Sequence, residues 1–315
     1  MHLIVNVPAK EAGMTSASTP TSTPAPALVA SGFHFLEAPR WHEDRIWFSD
    51  FYGHQVFSAR EDGSDLRTEV TVEQQPSGLG WLPDGRLLVV SMLDAKILRR
   101  EPDGTLVTHA DLSAHATGLV NDMVVDAAGR VYVGNFGFDL MGGARPVAAS
   151  LHRVDPDGTV TEVADDLWFP NGMVLTADGV LVVDETFGNR CSAFDVTADG
   201  RLVNRRVWAS FGPLPAGGDA APPKEPPVGP DGCCLDAEGA VWIADAIGGR
   251  LLRVTEGGTI TGELRPGTGV YACALGGADG KTLFACTAPD YDAKARSAAR
   301  EASLVAFRVE VPAAR

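Results

Sequence analysis

The stretch Pro170-Asn171-Gly172-Met173-Val174-Leu175-Thr176-Ala177-Asp178-Gly179-Val180-Leu181-Val182-Val183-Asp184-Glu185 holds two short apolar runs on either side of an Asp-Gly pair. Such a layout reads as an antiparallel hairpin. It recurs along the chain. Glu37, Ser77, Asn121, Asn171, Asp231 and Ala272 each stand eight residues before the end of a hairpin turn, at Arg45, Gly85, Gly129, Gly179, Gly239 and Gly280. Equal offsets in a repeating chain imply equivalent places in space.

Most of these first hairpins are followed by a second, so each unit makes a four-stranded antiparallel sheet. Asp-Gly pairs at Asp62-Gly63, Asp84-Gly85, Asp103-Gly104, Asp157-Gly158, Asp199-Gly200 and Asp279-Gly280 punctuate the runs, and are expected to supply the positive φ angles of two-residue hairpins. Successive first turns lie between 40 residues (Arg45 to Gly85) and 60 residues (Gly179 to Gly239) apart, as propeller blades joined by loops of varying length require. The expected fold is all-β, a six-bladed β-propeller of four-stranded antiparallel blades over residues 28–315. The last blade takes a strand within 303–311 and is completed by one near 28–35, which closes the ring and removes its exposed edges. Residues 1–27, rich in Ser, Thr, Pro and Ala from Met14 onward, read as a flexible arm. A sandwich of two sheets gives no reason for the constant offset. No segment carries a sustained helical period.

In an up-and-down blade the tight first turn lies at one face and the residue eight earlier at the other. Long insertions at 136–150, 211–230 and 288–300 fall on that second face. Loops gathered on one face of a rigid scaffold are the usual setting of a site.

The formal net charge of -15 argues against a nucleic-acid or anionic-membrane surface and is compatible with a bound cation. No stretch reaches the length of a membrane-spanning helix. Five cysteines (Cys191, Cys233, Cys234, Cys273, Cys286) show neither a disulfide framework nor Cys-x-x-Cys spacing. They read as small buried hydrophobes, with a redox-sensitive Cys233–Cys234 pair as the alternative. The N-terminal apolar run is too short for a secretory signal, so the expected location is cytoplasmic.

The six equivalent positions bring two carboxylates, Glu37 and Asp231, and two amide oxygens, Asn121 and Asn171, to one end of a channel. Unpaired, such groups are costly to desolvate, and two converging carboxylates repel. A divalent cation resolves both problems, and an oxygen-only set favours Ca²⁺, with Mg²⁺ or Mn²⁺ close behind, over a thiolate and imidazole zinc site. The competing interpretation is that these side chains bond loop backbone at blade entrances. Asp50, Asn135, Asp184 and Asp245 form a second set, able either to orient the first or to cap strand ends. Asp122, beside Asn121, is open to both roles. No Gly-x-Ser-x-Gly elbow, His-Glu-x-x-His pair or phosphate loop occurs.

The segments Glu37-Ala38-Pro39-Arg40-Trp41, Asn121-Asp122, Pro170-Asn171-Gly172 and Pro230-Asp231-Gly232, in this order and register, resemble the gluconolactonase and regucalcin (senescence-marker-protein) family of six-bladed propellers. The resemblance implies that Glu37, Asn171 and Asp231 bind a divalent metal, Ca²⁺ first, then Mg²⁺, Mn²⁺ or Zn²⁺. It also implies that Asn121 contacts substrate or completes the metal shell, that Asp231 is the general base, and that the reaction is lactone hydrolysis. Related propellers hydrolyse organophosphates. Sugar lactonases of the family often carry an arginine where this chain has Leu119. With Phe136, Phe138, Leu140 and Met141 nearby, Leu119 and Phe136 are expected to line a substrate pocket less polar than a sugar requires. The expected protein is a metal-dependent lactonase or esterase acting on a small molecule. The alternatives are a non-catalytic, metal-stabilised propeller that binds a small molecule or protein, and a phosphotriesterase-like hydrolase.

Overall fold

The structure, a computed structural model, describes residues 25–213 and 228–314. The expected arm and much of the 211–230 insertion therefore lie outside the described residues. Six four-stranded antiparallel sheets account for nearly all of the rest. Five are continuous in sequence, spanning 36–71, 76–111, 120–167, 170–210 and 230–264, and form blades 1 to 5. Blade 6 takes Gly269–Gly276, Thr282–Ala288 and Ala302–Arg308 from the end of the chain and its outermost strand, Ala27–Phe33, from the beginning. The first strand of every blade packs against the first strand of the next around the whole ring. The expected six-bladed propeller is the observed fold.

Burial follows this geometry. Second strands, pressed between neighbouring blades, are buried at every position in Arg45–Asp50, Leu87–Ser91, Val131–Asn135 and Val241–Asp245. This is why they read as continuous apolar runs and not as alternating ones. Outer strands such as Thr259–Leu264 are largely exposed. A single short helix among the described residues, Ala293–Ala298, sits in the last insertion, capped by the Asp292 side chain. It is too short to leave a helical period.

The turns differ from expectation. Among the first hairpins of the blades, only that of blade 1 has two loop residues in the left-handed region, Glu43 and Asp44 (φ 48° and 57°), neither of them glycine. At the Asp-Gly sites only the glycine has positive φ, as in Gly85 (84°). At most of them the preceding aspartate accepts a bond from the backbone N–H two residues on, as Asp84 does from Arg86, whereas at Asp178 and Asp199 that N–H donates to Thr176 or Thr197 Oγ1. These are type I turns closed by a left-handed glycine.

Each inner strand carries one register shift near its start. It falls between Glu37 and Arg40, Pro76 and Leu79, Val120 and Met123, Pro170 and Met173, Pro230 and Cys233, and Val270 and Ala272. A bulge bends a strand and re-aims its side chains, and here it coincides in every blade with the equivalent position. Glycine follows in blades 4 and 5 because the next inner strand leaves no room. A Cβ on Gly172 would press into the Asp231 carbonyl and the Cys233 N–H, and one on Gly232 into Ala272.

Most of the second acidic set closes loops. Asp50 accepts backbone bonds from His34, Phe35 and Gly53, and Asp245 from Gly229 and Gly248. In blade 4 the matching residue is Glu185, not Asp184, since Glu185 pairs with Pro170 as Asp50 pairs with Leu36. Fully buried, Glu185 accepts from the Trp168 N–H and holds Arg190 through two bonds of 2.7 and 3.0 Å. Replacing Glu185 by Ala strands a buried guanidinium and is expected to cost about 3–5 kcal/mol in urea denaturation. Replacing Arg201, whose partner Asp199 is exposed, should leave the midpoint unchanged.

Candidate functional site

Glu37, Asn121, Asn171 and Asp231 meet at one cavity of about 330 Å³ at the end of the channel that carries the insertions. Each comes from the first strand of a different blade (1, 3, 4 and 5). Three are nearly sealed from solvent, at 6%, 3% and 7% exposure for Asn121, Asn171 and Asp231. Ser77, the equivalent residue of blade 2, supports them from the side, donating from Oγ to Asn121 Oδ1 at 2.9 Å. Asn121 Nδ2 donates to Asn171 Oδ1 at 2.9 Å. Ala272 of blade 6 offers no polar group, and its Cβ faces Gly232.

The electrostatics are one-sided. Burial, reinforced by the charge of Asp122, pushes the Glu37 carboxyl up to about 8. Burial together with Glu37, Asp122 and Asp184 raises Asp231 well above the ordinary carboxylate range. Arg40 offsets only a small part of this at Glu37: it pairs with Asp122 at 2.6 Å and bonds the Met123 carbonyl, reaching from blade 1 to blade 3. Behind Asp231, Asp184 is completely buried and neither of its oxygens has a hydrogen-bond partner. Burial lifts it to about 7, and the thiols of Cys191 and Cys233 lie against it. Among the described residues no cluster of three His, Cys, Asp or Glu side chains is placed to hold a metal. The converging oxygens are two carboxylates and amide carbonyls. That donor set, buried and facing no cation, fits a hard divalent ion.

Above the polar floor the cavity has two aromatic walls. Phe136, Phe169 and Phe187 form one, with ring centroids 4.3 Å apart for Phe136–Phe169 and 5.9 Å for Phe169–Phe187. Phe35, Phe51 and Tyr271 form the other, at 5.4 Å for Phe35–Phe51 and 4.8 Å for Phe35–Tyr271. Met141, Ile247 and Tyr291, all exposed, stand at the rim, and two of them come from the predicted insertions. Among the described residues no Lys, Arg or His lines the cavity.

Phe136 lies where its sequence neighbours placed it. Leu119 is not among the lining residues: it is half-buried against the apolar core, and its carbonyl accepts from the Phe136 N–H. The apolar character comes instead from Phe35, Phe51, Phe169, Phe187 and Tyr271, which no motif singles out. Thr186 was also missed. It sits in the cavity wall and bonds Asn171, and a lone threonine beyond a strand end gives no signal in the sequence. Cys233 and Cys234 turn to opposite sides of their strand. Cys233 packs between blades 4 and 5, whereas Cys234 Sγ lies 3.9 Å from Cys273 Sγ on blade 6.

Residues 35–289 match the family model described as the SMP-30/Gluconolactonase/LRE-like region. The pentonolactonase XacC of Haloferax volcanii is 30% identical over 258 residues, 80% of this chain and 81% of its own. The lactonase drp35 of Staphylococcus epidermidis is 26% identical over 236 residues, 71% and 67% of the two chains. Among solved structures, that of a calcium-binding protein, regucalcin, from Agrobacterium tumefaciens superposes with a TM-score of 0.73 at 21% identity, covering 93% of this chain and 96% of that one. The chain belongs to the SMP-30/gluconolactonase/LRE-like family.

Proposed function

We propose that this protein is a divalent-metal-dependent hydrolase of lactones less polar than sugar lactones. One observation carries the reading: two buried carboxylates face a cavity that has aromatic walls and, among the described residues, no cationic side chain. Glu37, Asn171 and Asp231 would hold the ion, Ca²⁺ by the hardness of the donor set. When bound, it supplies Lewis-acid polarisation of a carbonyl oxygen. Relatives named pentonolactonase and lactonase support the reaction class.

The side chains divide the remaining work. Asp231, whose surroundings raise its proton affinity, takes a proton from the attacking water at a carboxylate oxygen. Asn121, held by Ser77 and Asn171, has a second Nδ2 proton with which to orient the ester carbonyl. The aromatic walls bind the body of the substrate and exclude water. The hydroxyls of a sugar would meet phenyl rings there, and unpaired buried hydroxyls oppose binding.

Asp231→Asn should lower kcat by about 10²–10⁴-fold, the usual contribution of a general base. Its melting temperature without metal should hold or rise, because a neutral amide replaces a carboxylate with a burial penalty. Parental turnover in this variant would refute the mechanism. On a panel of lactones, aromatic and alkyl-substituted compounds should exceed gluconolactone at least about tenfold in kcat/KM. Preference for gluconolactone would overturn the assigned polarity, and hydrolysis of phosphotriesters alone would overturn the reaction class.

Metal-free stability should depend on pH in a defined direction. Glu37 titrates near 4.5 when unfolded and is raised to about 8 in the folded chain. Between those values the native state binds more protons, so stability falls as pH rises through the window, and the raised Asp231 acts in the same direction. Saturating Ca²⁺ should abolish that slope. Identical pH profiles of the melting temperature with and without Ca²⁺ would contradict a cation at these carboxylates.

A further inference from the structure

We propose that Thr186 is a positioning residue whose hydroxyl decides which way round the Asn171 and Asn121 amides sit. Four side chains and one backbone carbonyl form a continuous chain of hydrogen bonds across blades 2 to 5. Ser77 Oγ donates to Asn121 Oδ1, Asn121 Nδ2 to Asn171 Oδ1, Asn171 Nδ2 to Thr186 Oγ1 at 3.0 Å, and Thr186 Oγ1 to the Pro230 carbonyl at 2.7 Å.

The direction of the chain follows from its last member. A backbone carbonyl only accepts, and a threonine hydroxyl has a single proton. With that proton committed to Pro230, Thr186 Oγ1 has only lone pairs to offer Asn171, which must therefore present its N–H₂. Asn171 Oδ1 is thereby turned towards Asn121, which must donate, leaving Asn121 Oδ1 to accept from Ser77. Every link then has the only polarity consistent with the Pro230 carbonyl. Thr186 is itself fixed: it is 7% exposed, and its backbone N–H donates to the Phe169 carbonyl at 3.1 Å. Pro230 immediately precedes Asp231, so the hydroxyl joins the strand end that carries one carboxylate to the amide beside it. In this orientation the Asn171 amide also donates to the Asp231 carboxylate, and a flipped Asn171 would turn its oxygen against that charge.

This inference rests on the metal reading above for one arm of its test and stands without it for the other. The variants are Thr186→Val, which keeps the shape and removes the hydroxyl, Thr186→Ser, which keeps the hydroxyl, and Ser77→Ala at the far end of the chain. In the metal-free protein, nitrogen-15 NMR follows solvent exchange of the Asn171 side-chain amide protons. They should be protected in the parent, in Thr186→Ser and in Ser77→Ala, and exchange at least about tenfold faster in Thr186→Val, as a lost supporting bond implies. Calorimetric titration with Ca²⁺ should show affinity reduced about 10–100-fold in Thr186→Val, the range for a lost partner of a metal ligand, and restored by Thr186→Ser. Parental protection in Thr186→Val would overturn the proposal, as would failure of Thr186→Ser to restore it or equal loss in Ser77→Ala. If the parent binds no Ca²⁺, Mg²⁺ or Mn²⁺, the metal reading fails and the exchange measurement alone decides the role of Thr186.

Discussion

The sixth blade reaches four strands only because a strand from the start of the described chain pairs with one near its end. Here Ala27–Phe33 lies against Ala302–Arg308, and the closed circle presses each inner strand onto the next. The approach is close enough that Gly172 and Gly232 have no space for a methyl group. Under that compression an extra residue in each inner strand must bulge, and the bulges turn Asn121, Asn171 and Asp231 into the axis. The chemistry at the channel end is thus a by-product of closure, which brings blades 1, 3, 4 and 5 to one point.

Placing carboxylates there is unfavourable by itself. Desolvation and mutual repulsion raise Glu37 and Asp231, and the nearest cation, Arg40, is already engaged with Asp122. The fold maintains this arrangement because the surrounding bonds are over-determined: Glu185 holds Arg190 and the Trp168 N–H, and Asp245 holds two glycine N–H groups. Local backbone strain gathers at the same place. Ala38, directly after Glu37, and Phe169, two residues before Asn171, both adopt positive φ (49° and 58°). Side-chain-bearing residues take that conformation at a cost, typically at sites of ligand contact.

Much of this was legible in the residues because it repeats. One eight-residue offset, found six times, led to the blades, the closing strand and the convergence of Glu37, Asn121, Asn171 and Asp231. What occurs once was not legible. Asp184 and Asp50 look alike by distance from the turn, yet the turn of blade 4 holds one residue more than the Glu43–Asp44 turn of blade 1, which moves the register by one and gives the capping role to Glu185. Leu119 looked like a pocket residue because it lies two positions before Asn121, but it stands ahead of the strand, which begins at Val120, and packs against the apolar core. The aromatic walls draw on Phe35, Phe51, Phe169, Phe187 and Tyr271, which become neighbours only when blades 6 and 1 face blades 3 and 4. Thr186 matters through a single hydroxyl, and nothing in the periodicity marks it.

The pairing of the first strand with the last also sets an order on biosynthesis. Residues 27–33 leave the ribosome long before their partner exists, and must wait with open hydrogen-bonding groups until residues 302–308 have been translated. Until that late moment Glu37 and Asp231 belong to opposite ends of an incomplete arc, with no common centre to share. A nascent chain truncated before residues 302–308 therefore displays most of the blades but no closed ring, so Glu37 and Asp231 come together late and not gradually.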